Sequence, residues 1–304
     1  MATKVDLEKI LSAAQGHVDG ELAANPDILP VGDDLDLSKL SAEERKWAQV
    51  DEIVALVADL KNSTQLGTGK HAASTAAIYE AAVKPAADFL DQFDADDLDI
   101  QGDCVIGVFW GDRRMERAFC AGVTIKTFSE RILVPGLEGK WEELPETGYK
   151  LGLASSRILV KPIGNPRKPD DQEEVWVGKA VNYAAKAAQT ADRDEMLVTA
   201  SAWDDLEPIE YITYSCGCDG GPSDFIWDEI EIDYLPDADR YGRKLKSNWC
   251  VKHGDEFCDA ILAGKTDRGD VAEARKAYAR KMTENVLAKK RIAQRQLRRK
   301  RLGR

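Results

Sequence analysis

The chain has 304 residues, of which 43% are hydrophobic and 32% charged, with a net charge of −12 at pH 7 and six cysteines. That length holds one domain of about 180 residues plus appendages, with room for a sizeable core. There is no apolar stretch of transmembrane length, and the start, MATKVDLEK, is too polar for a signal peptide. A membrane role is therefore not expected, and the cysteines read as free thiols in a reducing cytoplasm.

In chain order, residues 5–14 suit a short helix and residues 23–36 a Pro/Asp-rich connector. Residues 41–48 read as a helix, with Ser41 as N-cap and Glu43 and Glu44 in the first turn. Residues 54–58 form an apolar run ending at Asp59, followed by a small polar turn, which predicts a buried strand. LGTGKHAAS, residues 66–74, hints at a phosphate loop. His71 stands where Ser or Thr should follow Gly-Lys, so a helix start is the better reading. Residues 100–111, IQGDCVIGVFWG, predict a hairpin turning at Gly102-Asp103. Two aspartates at the ends of neighbouring strands suit Mg²⁺ or Mn²⁺, hard cations that bind phosphate alongside carboxylate.

Residues 112–130 predict a third helix, and residues 138–149 a Gly/Pro/Glu-rich loop. Residues 175–178 read as a strand and 179–191 as an Ala-rich helix carrying Asn182 and Lys186 on one face. Residues 208–214 and 225–234 alternate well enough to be strands, extending the sheet or building a small lobe. Cys216-x-Cys218 and Cys250-x-x-His253 have the spacing of a Cys₃His structural zinc site, with Cys258 as a spare thiol; two separate thiol clusters are the alternative. Residues 269–302 suit one long helix with Val271, Ala274, Tyr278, Met282 and Val286 partly in step. Residues 289–304 carry nine basic residues and no acidic one; taking those nine charges from −12 leaves −21 on the remainder. No aromatic residue follows Tyr278 to stack on bases, so the tail reads as folding back on the acidic body rather than binding nucleic acid.

Five blocks, VALVADLKNST, QGDCVIGVF, KLGLASSRILVKPIG, VWVGKAVNYAAKAA and EMLVTASAW, stand in order between Asp51 and Trp203. Together they resemble the catalytic domain of class III nucleotidyl cyclases. The resemblance implies an α/β (α+β) fold, a ferredoxin-like sheet of mainly antiparallel strands with helices on one face. It divides the chain into an N-terminal arm (1–50), the catalytic domain (51–205), C-terminal strands with a Cys-rich segment (206–266) and a basic helical tail (267–304). The arm would pack near the core or a dimer seam.

The resemblance also implies roles. Asp59, Asp103 and the Leu60 carbonyl would hold two Mn²⁺ or Mg²⁺ ions per site. The turn 61–64, with Asn62, Ser63 and Thr64, would bind the triphosphate through its backbone N–H groups. Asn182 would orient the ribose. Lys186 stands where the family has arginine, keeping the charge without the bidentate fork. Metal and Asn/Lys groups come from opposite protomers in this family, so a homodimer is implied. The base-selecting positions hold Asp99 and Val175. The adenine readers (Lys, Asp) and guanine readers (Glu, Cys) of the family are both missing. Asp99 can accept from guanine, from uracil N3–H or from the cytosine amino group. A polar strand end within DADDLD is its plain alternative. The whole is most similar to the pyrimidine cyclases of Pycsar anti-phage defence, and SNWCVKHGDEFCDAI shares that likeness. UTP is the expected substrate and CTP the next, with a separate effector sensing the cyclic product. The other readings are a purine cyclase and a degenerate nucleotide-binding domain.

Overall fold

The computed structural model describes residues 5–165, 168 and 171–302. Helix α1 (Leu7–Ala23) starts at Asp6, whose carboxylate accepts from Lys9 N at 3.1 Å, and leads to the short strand β1 (Asp27–Pro30). Then follow β2 (Lys46–Leu60), the single turn α2 (Ser63–Leu66) and α3 (Ala72–Gln92). The hairpin of β3 (Asp97–Gln101) and β4 (Cys104–Phe109) turns at Gly102, φ 71°, a conformation that favours glycine. Helix α4 (Arg114–Phe128) runs through a π-turn, Ser129–Leu133, into α5 (Val134–Lys140). β5 (Tyr149–Gly164), β6 (Gln172–Gly178), α6 (Ala180–Thr190) and β7 (Glu195–Val198) complete the central part. The C-terminal third holds α7 (Ala200–Leu206), α8 (Glu210–Thr213), β8 (Trp227–Glu231), β9 (Tyr241–Leu245), α9 (Gly254–Leu262) and α10 (Gly269–Leu302).

The strands form one sheet in the order β3-β4-β2-β5-β7-β9-β8, with β1 on β2 and β6 on β5. The long strands β2 and β5 lie antiparallel at its centre, from Leu60 opposite Tyr149 to Ala48 opposite Val160. Val54–Ala58 is apolar at every position, so both faces of β2 need cover. Val54, Leu56, Ala58 and Leu60 pack with Ile78, Ala82, Ala86 and Leu90 of α3 and with α4. Ile53, Ala55 and Val57 turn the other way, onto Ala180, Ala184 and Ala188 of α6. The expectation of helices on one face is thus corrected: α6 covers the opposite face.

Two local expectations also fail. Residues 41–48 are not helical: β2 begins at Lys46. Ala48 and Val50 are buried in alternation, Ala48 paired to Leu29 of β1 and Val160 of β5 and Val50 to Ile158 of β5, and this long-range pairing outweighs the capping signals. Residues 208–214 hold α8 rather than a strand. Ile209 and Ile212, three apart, both face the core, which is helical spacing. The loop expected at 138–149 is shorter, because α5 continues to Lys140. β8 and β9 extend the sheet through β7.

Among the described residues, helix α10 is anchored at its start. Val271 is buried, Arg268 Nη1 donates to Tyr214 O at 2.8 Å, and Arg275 Nη1 donates to Glu210 Oε1 at 2.5 Å. Beyond it Tyr278, Met282 and Val286 are exposed, and the side chains of the basic run 289–304 lie outside the described residues. Among the described residues no helix is long and apolar enough to cross a membrane.

Candidate active site

The register of β2 and β4 brings the two aspartates together. Ala58 pairs with Val105, so Asp59 runs alongside Cys104, next to Asp103 in the hairpin turn. Both carboxylates act on the same neighbours. Burial pushes the Cys104 thiol up to about 12, and the charges of Asp59, Asp103 and Asp99 add to this. Tyr149 is also raised, first by burial and then by Asp103 and its neighbours, so its hydroxyl stays protonated. The Oδ2 atom of Asp103 is buried without a hydrogen-bond partner, and so is the Tyr149 hydroxyl. An orphaned carboxylate oxygen beside a second carboxylate is a costly arrangement for a protein alone and a suitable one for a hard divalent cation. On β5, Lys150 lies directly opposite Asp59, and its Nζ is 2.7 Å from Asp59 Oδ2. This ion pair was not foreseen, because it depends on a pairing ninety-one residues apart in the chain. Leu60, the expected carbonyl ligand, pairs with Tyr149.

The following turn is tightly held. Asn62 adopts a left-handed conformation, φ 58° and ψ 27°, and its Nδ2 donates to Glu146 O at 2.8 Å. The Lys61 N–H donates to Gly148 O at 3.0 Å, which removes it from the donors expected of residues 61–64. Those of Asn62, Ser63 and Thr64 form the start of α2. The Lys61 ammonium bridges Glu146, at 2.7 Å, and Asp192.

Asn182 and Lys186 lie on α6. The Asn182 Nδ2 donates to Gly178 O at 3.1 Å, and Lys186 Nζ donates to Tyr234 O at 2.9 Å. Lys186 and Lys179 both stand over the Tyr183 ring, 5.7 and 5.6 Å from its centroid. Gly178 pairs with Ile158, whereas Asp59 pairs with Lys150. Eight residues of β5 separate those two points, about 26 Å at ~3.3 Å per residue. From there α6 runs back along β5, with Ala184 and Ala188 against Gly152, and the hydrogen bonds of Asn182 and Lys186 go to Gly178 O and Tyr234 O rather than to Asp59 or Asp103.

Asp99 and Val175 are both on exposed strand faces. The Asp99 carboxylate accepts from Gln101 Nε2 at 2.6 Å. The approach of β3 to β6 is made by Asp97, whose carboxyl is raised by burial and then by the Glu174 charge, with the Trp176 side chain as a donor beside it. Trp176 in turn packs on Trp110, with ring centroids 5.8 Å apart. Cys216, Cys218, Cys250 and His253 do converge, with ligand atoms all within 4.8 Å of one another. Cys258 instead faces Cys120.

The fold is that of a class III nucleotidyl cyclase catalytic domain. The fold matches the adenylyl cyclase CyaB from P. aeruginosa with TM-score 0.52 at 12% identity, over 66% of this chain and 96% of that one. It also matches the guanylyl cyclase Cya2 with TM-score 0.51 at 13% identity, over 65% and 92%. No protein-family model matches the chain. The uridylate cyclase of Micromonospora echinofusca is 51% identical over 275 residues, 90% of each chain. That of Propioniciclava tarda is 47% identical over 247 residues, 81% of this chain and 80% of the relative. The chain belongs to the uridylate cyclase family.

Proposed function

We propose that the protein converts UTP into 3′,5′-cyclic UMP and pyrophosphate as a homodimer with two composite sites. The observation that carries this reading is that, within one chain, the Asn182 amide is turned to Gly178 O and the Lys186 ammonium to Tyr234 O, neither to Asp59 or Asp103, so a second copy would supply them across a two-fold axis. The relatives named uridylate cyclase supply the substrate class.

Asp59, Asp103 and the Leu60 carbonyl would hold two Mn²⁺ or Mg²⁺ ions, and the buried, unpartnered Asp103 Oδ2 fits that task. When bound, such ions lower the charge on the attacking and leaving oxygens. The remaining work falls to the chain's own groups. Asn62, Ser63 and Thr64 present backbone N–H groups to the triphosphate. The Asn182 amide orients the ribose so that O3′ stands in line with the α-phosphorus. The Lys186 ammonium, from the other protomer, faces the phosphate as charge builds in the transition state. Asp99 accepts from uracil N3–H, and Val175 leaves the opposite edge without a purine-reading donor or acceptor. The same carboxylate accepts from the cytosine amino group, so cyclic CMP is the competing product. In the cytoplasm, cyclic UMP would serve as the messenger of Pycsar anti-phage defence, sensed by a separate effector.

Mixing two inactive variants tests this. Asp59→Ala and Asn182→Ala are each expected to make no cyclic UMP from UTP with Mn²⁺. An equimolar mixture regains about a quarter of wild-type activity, because half the dimers are mixed and each mixed dimer has one intact site. Folded variants that fail to complement would refute the composite site, and cyclic AMP or cyclic GMP as the product would refute the substrate.

A further inference from the structure

The active-site reading leaves one cluster of metal-binding side chains unused. Cys216 and Cys218 lie in the loop between α8 and β8, and Cys250 and His253 immediately precede α9. The Cys218 Sγ is 3.8 Å from Cys250 Sγ and 3.4 Å from His253 Nδ1. Cys250 Sγ is 3.7 Å from the same Nδ1. Around a tetrahedral ion with Zn–S near 2.3 Å and Zn–N near 2.0 Å, the edges come to about 3.8 Å for S···S and about 3.5 Å for S···N. The three separations match those edges, whereas a disulfide requires about 2.05 Å.

A second observation points the same way. The loop that carries Cys216 and Cys218 has almost no packing of its own. Side chains built at Gly217, Gly220 or Gly221 would meet nothing within 4 Å, and Gly220 and Gly221 have φ of 105° and 112°. Among the described residues the loop is closed by Ser215 N donating to Ser223 O at 2.8 Å and Ser223 N to Ser215 Oγ at 3.0 Å, with Arg268 Nη1 donating to Ser215 O at 3.1 Å. Four metal-binding side chains from two distant segments nevertheless meet there.

We propose that Cys216, Cys218, Cys250 and His253 bind a structural Zn²⁺ ion that clasps this loop to the start of α9. Thiolate and imidazole select zinc over the hard cations of the active site. Four protein ligands close the coordination sphere, so the ion holds structure and performs no catalysis. The clasp reaches the core through Trp249, next to Cys250. Its N–H donates to Thr127 Oγ1 at 3.1 Å, its Nε1 to Thr124 Oγ1 at 2.9 Å, and its carbonyl accepts from Arg131 at 2.5 Å. All three partners lie on α4 or the π-turn that follows it.

The test is metal analysis of the full-length protein purified without chelator. About one zinc per chain is expected by mass spectrometry of the elements, and replacement by Co²⁺ should give thiolate-to-cobalt charge-transfer bands with the visible bands of a tetrahedral site. Cys218 is exposed, and Cys218→Ser is expected to lower zinc content at least about tenfold. A variant carrying both Asp59→Ala and Asp103→Ala keeps its zinc, which separates this site from the active-site metals. The cobalt spectrum is recorded on the wild-type chain, so it does not depend on any variant folding. Wild-type protein without zinc and without a tetrahedral cobalt spectrum overturns the proposal, as does a disulfide among these cysteines.

Discussion

Gly152 offers the most direct link between packing and turnover. It lies on β5 beneath α6, and a Cβ placed there would be 2.0 Å from Ala184 O and 2.5 Å from Ala188 N. Both are backbone atoms, so no rotamer change relieves the contact. With non-bonded contacts near about 3.5 Å, Gly152→Ala forces α6 away from the sheet by more than ~1 Å. That movement loosens Ala180, Ala184, Ala187 and Ala188, all of which are buried. Overpacking of this kind costs about 1–3 kcal/mol. Asn182 and Lys186 ride on the same helix, and a misplacement of ~1 Å at reacting groups lowers rate by as much as about 10²-fold. Urea unfolding followed by circular dichroism reads the first effect, and pyrophosphate release from UTP reads the second. Gly136→Ala is the control: it is helical, with open space around its Cβ position. An unchanged unfolding midpoint and unchanged turnover in Gly152→Ala would refute the argument that backbone contact fixes α6.

Asp103→Asn removes an unpartnered buried charge beside Asp59, so in chelator the protein should gain about 1–2 kcal/mol while losing metal-dependent activity. A lower melting temperature would contradict this. Lys186→Ala should reduce kcat by about 10²–10³-fold, the size of a lost transition-state donor, whereas Lys186→Arg keeps the charge and most of the rate. Equal losses in the two variants would show that the charge is not what matters. Asp205 is raised to about 6, first by burial and then by its contact with Glu52. The folded state therefore binds a proton that the unfolded state has released above its ordinary value of 3.8. Stability falls as pH rises from that value through about 6. Because Asp205 keeps solvent contact, the fall should be on the order of 1 kcal/mol or less. Urea midpoints across that range should flatten in Asp205→Asn, and an unchanged slope would exclude this group as the cause.

What was legible in the chain follows the range of the physics. The β3–β4 hairpin, the buried run before Asp59 and the Ala-rich α6 are written in local pattern, and the structure has all three. Residues 41–48 carry a good N-cap and acidic first turn, yet are not helical and enter β2 at Lys46, because Ala48 pairs with β1 and β5 and Val50 with β5. Asp59 and Asp103 were visible as strand-end acids, but Lys150 opposite Asp59 was not, since register across β5 leaves no local trace. Likewise Asp97, rather than Asp99, meets β6, a consequence of where Trp176 packs on Trp110. Cysteine spacing suggested a ligand set; only the folded loops show that Cys258 belongs elsewhere, with Cys120.

Helix α10 gives the protein an electrical asymmetry. Its 34 residues reach about 51 Å at 1.5 Å per residue, and its first two turns are fastened to the body. Nine positive charges sit at the far end of the chain from a remainder carrying −21. The charge along the chain is thus uneven, and a basic segment and an acidic one attract each other. Salt at 0.15 M confines that attraction to about 8 Å. Dilute buffer extends it, so any contact between the basic segment and the acidic remainder should weaken as salt is added.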